Sequence, residues 1–341
     1  MKGNFWHFAE GAEKIFPQGD PMASFVSPVP VKRNSVREVW KAGEYFFKFD
    51  KRPRHGFEKE FRRACALARR GVPVVRHLAC GRTDRGACLV TAALPGSVTV
   101  EEFIRGRVPD EKFLAAAADF LRLLERKRVV HRDLHPGNVL CVEKDNAFFL
   151  VDVRDAFPAR WFDGFLFSRL PFLRFLCDLS ENLSDSRVCE LLRSMDVPDP
   201  QGFFFAEISR KAGFVRREWP RRREQILSGY PKFTRKEGEI LFVRDSGPAE
   251  LERAETLPAD EDVFVMAFYL DLLRIPHRRV FCYDPRKKTV CVEPAGETSP
   301  APERVAELVR RARLAGVPAE PGDWGTDRGG LVKLSTWKGK E

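Results

Sequence analysis

From Val36 onward, apolar and polar positions alternate in short runs broken by glycine, and the period then lengthens. Val36 to Lys41 and Glu44 to Phe49 flank Ala42-Gly43, which predicts a β-hairpin with Lys48 on its second strand. Phe57, Phe61, Ala64, Cys65 and Ala68 recur at helical spacing, so a helix is predicted over Phe57 to Arg70, stopped by Gly71 and Pro73. Val75 to Cys80 and Ala87 to Ala93 read as two strands around the turn Arg82 to Gly86, and Leu94-Pro95-Gly96 reads as a hinge. Asp110 can cap a long helix from Glu111 to Arg128, whose apolar stripe is Phe113, Ala116, Ala117, Phe120, Leu121 and Leu124. That helix leads into a polar loop at His131, after which Phe148 to Val151 forms an apolar strand ending on Asp152. Phe165 to Leu192 is predicted to be helical.

The remainder is less regular. Glu239 to Arg244, Arg279 to Tyr283 and Thr289 to Glu293 read as strands, and Pro302 to Ala315 as a helix followed by Gly316. Gly316-Val317-Pro318, Gly325 to Gly329 and Leu331-Val332 echo Gly71-Val72-Pro73, Arg82 to Gly86 and Cys88-Leu89-Val90. A degenerate second copy of the N-terminal lobe is one reading of this echo, and accidental recurrence of turn residues is the other. The arginines at 216, 217, 221, 222 and 223 mark a shift in composition, read as the boundary of the catalytic unit.

With 341 residues the chain has room for two domains or one two-lobed domain. A formal charge of +10, from 59 Lys and Arg against 49 Asp and Glu, favours an anionic partner. Charge alone does not make a nucleic-acid binder, and no basic-aromatic interleaving or reading helix is evident. The apolar segment Phe165 to Leu179 is interrupted by Arg169, Pro171, Arg174 and Asp178, so no bilayer span is expected, and Met1 to Asp20 lacks the apolar core of a signal peptide. Eight cysteines without a C-x-x-C pair read as reduced thiols of a cytosolic protein rather than a disulfide frame or zinc site.

The chemistry is concentrated in His131-Arg132-Asp133-Leu134-His135-Pro136-Gly137-Asn138. Asn138 follows Asp133 by five positions, and Asp152 closes an apolar strand 14 residues further on. This ordered set is similar to the catalytic loop and metal-binding segment of protein-kinase-like phosphotransferases: Asp133 beside the attacking hydroxyl, Asn138 and Asp152 on the metals that bridge nucleotide phosphates. Lys48 is the candidate cation for the α- and β-phosphates. Glu60 is preferred over Glu58 as its helix partner, because Glu60 adjoins the apolar face of Phe57, Phe61 and Ala64. The loop Lys32-Arg33-Asn34-Ser35 stands where such folds cover the phosphates, but it is not glycine-rich, so Ser35, backbone N–H groups or basic side chains would form the cradle. Lys51, Arg52 and Arg54 are further candidates for holding a phosphate, although charge runs are usually solvated. His131 is read as structural support for the loop.

Together with Val36 to Lys48, the Glu60 helix and the Leu94-Pro95-Gly96 hinge, the loop resembles the bacterial lipopolysaccharide core kinases, the Kdo and heptose kinases, over about Val31 to Leu179. The resemblance implies an α+β, two-lobed protein-kinase-like fold: a small β-rich lobe over 1–94, a mainly helical lobe with the catalytic loop over 95–215, and an α+β extension over 216–341. It implies ATP and Mg2+ as cofactors and transfer of the γ-phosphate to a hydroxyl of Kdo or heptose on lipid A-linked core saccharide. The site would work at the cytoplasmic face of the inner membrane, with peripheral contact to that surface. Leu134-His135-Pro136-Gly137 is shared with aminoglycoside- and choline-kinase-like enzymes, so a small hydroxyl-bearing acceptor is the alternative. A non-catalytic pseudokinase scaffold is a third reading.

Overall fold

The alternating runs of the N-terminal third assemble into one antiparallel sheet. In the computed structural model, residues 5–33, 36–52, 56–159, 169–244, 246–273, 275, 277–294, 302–317, 324–325 and 331–332 are described. The chain divides into two units, Met1–Leu176 and Cys177–Glu341. Both mix helices with antiparallel sheets, so the fold class is α+β.

In the first unit, β1 (Phe5–Phe8), β2 (Val29–Arg33), β3 (Arg37–Ala42), β4 (Tyr45–Asp50), β5 (His77–Thr83) and β6 (Gly86–Ala92) pair in the order β1-β5-β6-β4-β3-β2, with α1 (Glu58–Arg69) connecting β4 to β5. The pleat separates the side chains of β4: Phe47 and Phe49 are fully buried on one face, and Lys48 projects from the other. Phe57 and Phe61, at the start of α1, pack against Cys80, Ala87 and Leu89. Gly86, at φ +112°, passes so close to the Asp50 carbonyl that a Cβ would lie 2.4 Å from its oxygen, so the β5–β6 turn requires glycine there.

The sequence predicts no element before Val36, yet this stretch holds β1, β2 and three short 3-10 turns at Ala12–Ile15, Pro17–Gly19 and Pro21–Ser24. Their apolar residues follow no single period because consecutive tight turns impose none. They bury Ala12 and Phe16 against Phe47, Phe49, Leu78 and Val90, with Trp6, Phe8, Met22 and Phe25 packed around them. The segment thereby closes the sheet face opposite Lys48.

The unit continues through β7 (Ser97–Thr99), α2 (Val100–Gly106), α3 (Glu111–Arg126), β8 (Val129–His131), β9 (Val139–Val142), β10 (Ala147–Leu150) and β11 (Ala156–Pro158) into α4 (Leu170–Asp178). Asp110 caps α3, accepting from the Phe113 amide at 2.8 Å. The α3 stripe is buried except for half-buried Ala116, and Phe113 and Phe120 pack on Phe148 of β10 at ring distances of 5.1 and 5.7 Å. Of the predicted helical stretch Phe165 to Leu192, residues 165–168 lie outside the described residues.

The second unit carries α5 (Asp185–Ser194), α6 (Pro200–Leu227), β12 (Thr234–Glu237), β13 (Ile240–Val243), α7 (Pro248–Glu252), β14 (Glu255–Pro258), α8 (Glu261–Leu273), β15 (Val280–Asp284), β16 (Thr289–Val292), α9 (Pro302–Leu314), β17 (Trp324–Gly325) and β18 (Leu331–Val332). Its five-stranded sheet runs β12-β13-β15-β16-β14. In that order the strand before the connecting helix, β14, sits at the edge, whereas the corresponding β4 is central in the first sheet. Residues 318 and 326–330 of the sequence echo lie outside the described residues. The arginine cluster does not interrupt the chain, because α6 runs continuously through it, with Pro220 inside. Helix α8 was not foreseen from sequence: Phe264, Val265, Met266, Ala267, Tyr269 and Leu270 are all buried, so it has no polar face to mark a period.

The joint between α5 and α9 is ionic. Arg311, 2% exposed, donates from Nε to Asp185 Oδ1 at 2.6 Å, from Nη1 to the Ser180 carbonyl at 2.6 Å and from Nη2 to the Leu183 carbonyl at 2.7 Å. Burial lowers the proton affinity of this guanidinium, and the Asp185 carboxylate opposes that push. Asp185→Ala would leave a buried cation without its counter-ion, and removing one partner of a buried pair costs about 3–5 kcal/mol. The expected outcome is a lowered urea midpoint for the second unit, followed by tryptophan fluorescence; an unchanged midpoint would refute it.

Candidate active site

Three backbone connections gather the polar residues of the first unit. Lys48 lies on β4, opposite Leu89 of β6 and Val39 of β3. Glu60 lies in the first turn of α1. Asn138 ends a 3-10 turn at Pro136–Asn138 and leads directly into β9, which pairs antiparallel with β10 so that Val139 faces Leu150. The Val151 amide donates to the Asn138 carbonyl at 3.0 Å, which brings Asn138 and Asp152 to the same end of the strand pair.

Lys48 is the hub. Its Nζ donates to both Glu60 carboxylate oxygens, at 3.1 and 3.2 Å, and to Asp152 Oδ1 at 3.3 Å. Phe57 covers it, with the ring centroid 5.4 Å from Nζ. Glu60, and not Glu58, is the α1 carboxylate that meets the lysine. Glu60 is 5% exposed at its side chain, whereas Asp152 is 43% exposed. Burial pushes the Glu60 carboxyl up, but His77 and Lys48 beside it overcome that push and hold it below the usual range.

Asp152 adopts a left-handed backbone at φ 48° and starts the turn Val153–Asp155. A non-glycine residue there is uncommon, although Asp tolerates it better than most. The segment is held on both sides. Ala156 of β11 pairs with His131 of β8, the Arg132 amide donates to the Asp155 carbonyl at 3.2 Å, and Arg63 of α1 donates to the Arg154 carbonyl. On the β10 side, the Leu150 amide donates to the Pro73 carbonyl and the Val75 amide to the Leu150 carbonyl, both at 3.0 Å.

Asp133 and Asn138 are coupled within their loop. Asn138 Nδ2 donates to the Asp133 carbonyl at 2.8 Å and approaches Asp133 Oδ2 at 3.4 Å. With Nδ2 committed, Oδ1 is the end of Asn138 available to a cation. The loop is braced by two imidazoles: His131 Nδ1 accepts from the Asp133 amide at 3.2 Å, and His135 Nδ1 accepts from the Gly137 amide at 3.1 Å.

Of the candidates named from sequence, Lys48 touches both Glu60 and Asp152, and Asp133 and Asn138 touch each other. Ser35 and Arg54 lie outside the described residues. Lys51 and Arg52 are committed elsewhere: Lys51 pairs with buried Glu38 at 2.8 Å, and Arg52 pairs with Asp50. The Arg52 hydrogen bonds, against the opposing push of burial, hold the Asp50 carboxyl well below its usual range. Sequence reasoning missed His77, which sits beside Glu60, because nothing in the spacing of a strand-initial histidine marks it.

Among the described residues, no cluster of three or more His, Cys, Asp or Glu side chains is arranged to hold a metal. Asn138 Oδ1 and the Asp152 carboxylate are hard oxygen donors, a set that suits Mg2+ completed by phosphate oxygens and water, and does not suit a soft metal.

No protein-family model matches this chain, and no curated protein matches it. Solved structures do show likenesses. WbdD in co-crystal with the kinase inhibitor LY294002 is 19% identical over 51% of this chain and 44% of its own, with a TM-score of 0.36, so this chain spans less than half of that protein. A choline/ethanolamine kinase family protein from Mesorhizobium loti is 15% identical over 59% of this chain and 81% of its own, at 0.35. Another structure, of the bifunctional kinase-methyltransferase WbdD, is 17% identical over 60% and 50%, at 0.33. At these scores the chemistry of the site stands on its own geometry.

His131 gives a pH signature. Burial drives its imidazole down to about 4, against the opposing pull of Asp133, so the ring is neutral near pH 7. The unfolded chain, with an ordinary histidine near 6.5, then binds more protons, so stability is fully present above about pH 6.5 and falls as pH drops toward 4, by up to about 1.4 kcal/mol per unit. His131→Asn retains an acceptor for the Asp133 amide and removes the titration. Urea unfolding at pH 7, 5.5 and 4.5 is expected to show a steeper loss for the wild type than for this variant; parallel curves would refute it.

Proposed function

We propose that the unit Met1–Leu176 is an ATP-dependent phosphotransferase acting on an alcohol, and that the acceptor is a hydroxyl of Kdo or heptose in lipid A-linked core saccharide. The observation that carries the enzyme reading is Lys48 Nζ held between Glu60 and Asp152, with Asn138 drawn to the same end of β9 and β10. Phosphoryl transfer calls for positioning and charge neutralisation rather than covalent chemistry from the protein.

Each side chain has a task in this reading. Lys48, steadied by Glu60, would release Asp152 and place its ammonium on the α- and β-phosphates. Asn138 and Asp152 would hold Mg2+, which when bound would neutralise phosphate charge. Asp133, on a loop braced by His131 and His135, would orient the acceptor hydroxyl and receive its proton. Closure of the opposite sheet face by the segment 5–25 leaves the Lys48 face as the one available to nucleotide.

The sugar acceptor is supported by the resemblance of the loop, hinge and Glu60 helix to lipopolysaccharide core kinases. A membrane-borne acceptor is further supported by α6. Phe214 is 46% exposed, and Arg217 and Arg221 share its helical face one and two turns on. Among the described residues no hydrogen bond or ion pair engages the Arg216, Arg217, Arg221 or Arg222 side chains, although exposed Glu224 lies just beyond them. An exposed aromatic with two arginines on the same helical face fits the surface of an anionic bilayer. No helix among the described residues is long and apolar enough to cross a membrane.

Purified chain with magnesium-ATP and lipid A-linked core saccharide is expected to add one phosphate to the saccharide, read by mass spectrometry. Turnover only with free aminoalcohols would favour a small-molecule acceptor, and nucleotide binding without turnover on any acceptor would favour a scaffold. Asp133→Ala should reduce transfer by about 10²-fold or more with nucleotide affinity nearly intact, whereas Asp152→Ala should weaken magnesium-nucleotide binding as well. Wild-type turnover by Asp133→Ala would overturn its role.

For α6, the Arg217→Glu, Arg221→Glu double variant is expected to lose sedimentation with vesicles of phosphatidylcholine and phosphatidylglycerol, since each basic group near such a surface contributes about 1 kcal/mol. Equal binding by wild type and variant would remove α6 from the membrane reading.

A further inference from the structure

Next to the Lys48–Glu60 pair lies an imidazole that takes no part in the phosphoryl-transfer roles assigned above. His77 opens β5, and its side chain is 3% exposed. Its Nδ1 lies 2.8 Å from the Val75 carbonyl oxygen, and a carbonyl can only accept, so the Nδ1 proton is fixed by that bond. Among the described residues Nε2 has no hydrogen-bond partner, and it faces Glu60 Oε1 at 3.9 Å. A buried polar atom left unsatisfied costs about 1–3 kcal/mol, so this placement calls for an explanation.

The chemistry of the pair supplies one. Lys48 divides its ammonium between Glu60 and Asp152. When it reaches for a phosphate its grip on Glu60 loosens, and a carboxylate as buried as Glu60 must keep a donor or give up its charge. The His77 ring, its Nδ1 proton held by the Val75 carbonyl, donates from Nε2 to that carboxylate when it carries a second proton, as the imidazolium. Less than an ångström of approach would turn the 3.9 Å contact into a hydrogen bond to Glu60.

We propose that His77 is a positioning residue: it holds the Glu60 carboxylate in place, so that Lys48 can extend toward a nucleotide phosphate without losing its anchor. This rests on the phosphotransferase reading and adds to it a member outside the set that binds nucleotide directly. A purely structural role, filling the space under β5, would need the shape of the ring and not its second nitrogen.

Side-chain replacement separates the two. Gln can carry an amide N–H to the position of Nε2, Asn can reach only the Val75 carbonyl, and Phe fills the ring volume with no donor. The full chain would be titrated with magnesium-ATP by calorimetry as wild type, His77→Gln, His77→Asn, His77→Phe and Lys48→Ala, with melting temperatures recorded without nucleotide. Expected are an affinity loss of about 10-fold for Asn and Phe, equivalent to about 1.4 kcal/mol, and restoration to within about threefold by Gln. Should Phe fail to fold, the contrast between Gln and Asn decides. The proposal is overturned if Asn binds as wild type does, or if Gln loses as much as Asn, while Lys48→Ala still abolishes binding. No binding by the wild type would instead sink the phosphotransferase reading itself, and this proposal with it.

Discussion

A carboxylate taken out of water must be met by a cation, and in the first unit that requirement joins two distant parts of the chain. Glu60 is buried at the start of α1, and Lys48 reaches it from the middle of β4. The same ammonium touches Asp152, which is 104 residues away in sequence. One lysine therefore ties helix, sheet and the strand pair β9–β10 together. The apolar framework serves this arrangement: Phe47 and Phe49 bury the other face of β4, and Phe113 and Phe120 hold β10 through Phe148.

The candidate site has two parts with different character. Lys48 and Glu60 lie on regular elements, whereas Asp133, Asn138 and Asp152 lie on turns whose conformation is set by backbone bonds from neighbouring strands. The left-handed Asp152 is held by β11 on one side and β10 on the other. A strained residue at the end of a rigid strand pair suits a ligand that must sit in one place, and it explains why so many backbone bonds converge on the segment from Leu150 to Ala156.

What was legible in the sequence was local. The hairpin around Gly43, the helix ending at Gly71, the Asp110 cap and the polar loop at 131–138 each follow from period or turn chemistry within a few residues. Choosing Glu60 over Glu58 needed only the helical wheel. Illegible were features defined by contacts across the fold. The turns between Ala12 and Ser24 have no period, the apolar residues of α8 spread round the helix without a single polar face, and α6 carries a proline and five arginines where the composition suggested a break. His77 escaped notice for the same reason: its meaning comes from Glu60, which reaches it only through the packing of α1 on the sheet.

The segment 5–25 bears on how the sheet can come together during synthesis. Because β1 pairs with β5, register between Phe5 and Arg82 cannot be established until both have left the ribosome. Until then the part of the lid that β1 carries, Trp6 and Phe8, is not anchored over the cluster of Phe47 and Phe49, and a nascent hairpin of β3 and β4 would present part of that cluster as a sticky flank to other chains. Closing a loop of this span is an entropic cost borne late, so the outermost strand is the natural last step of folding for this unit.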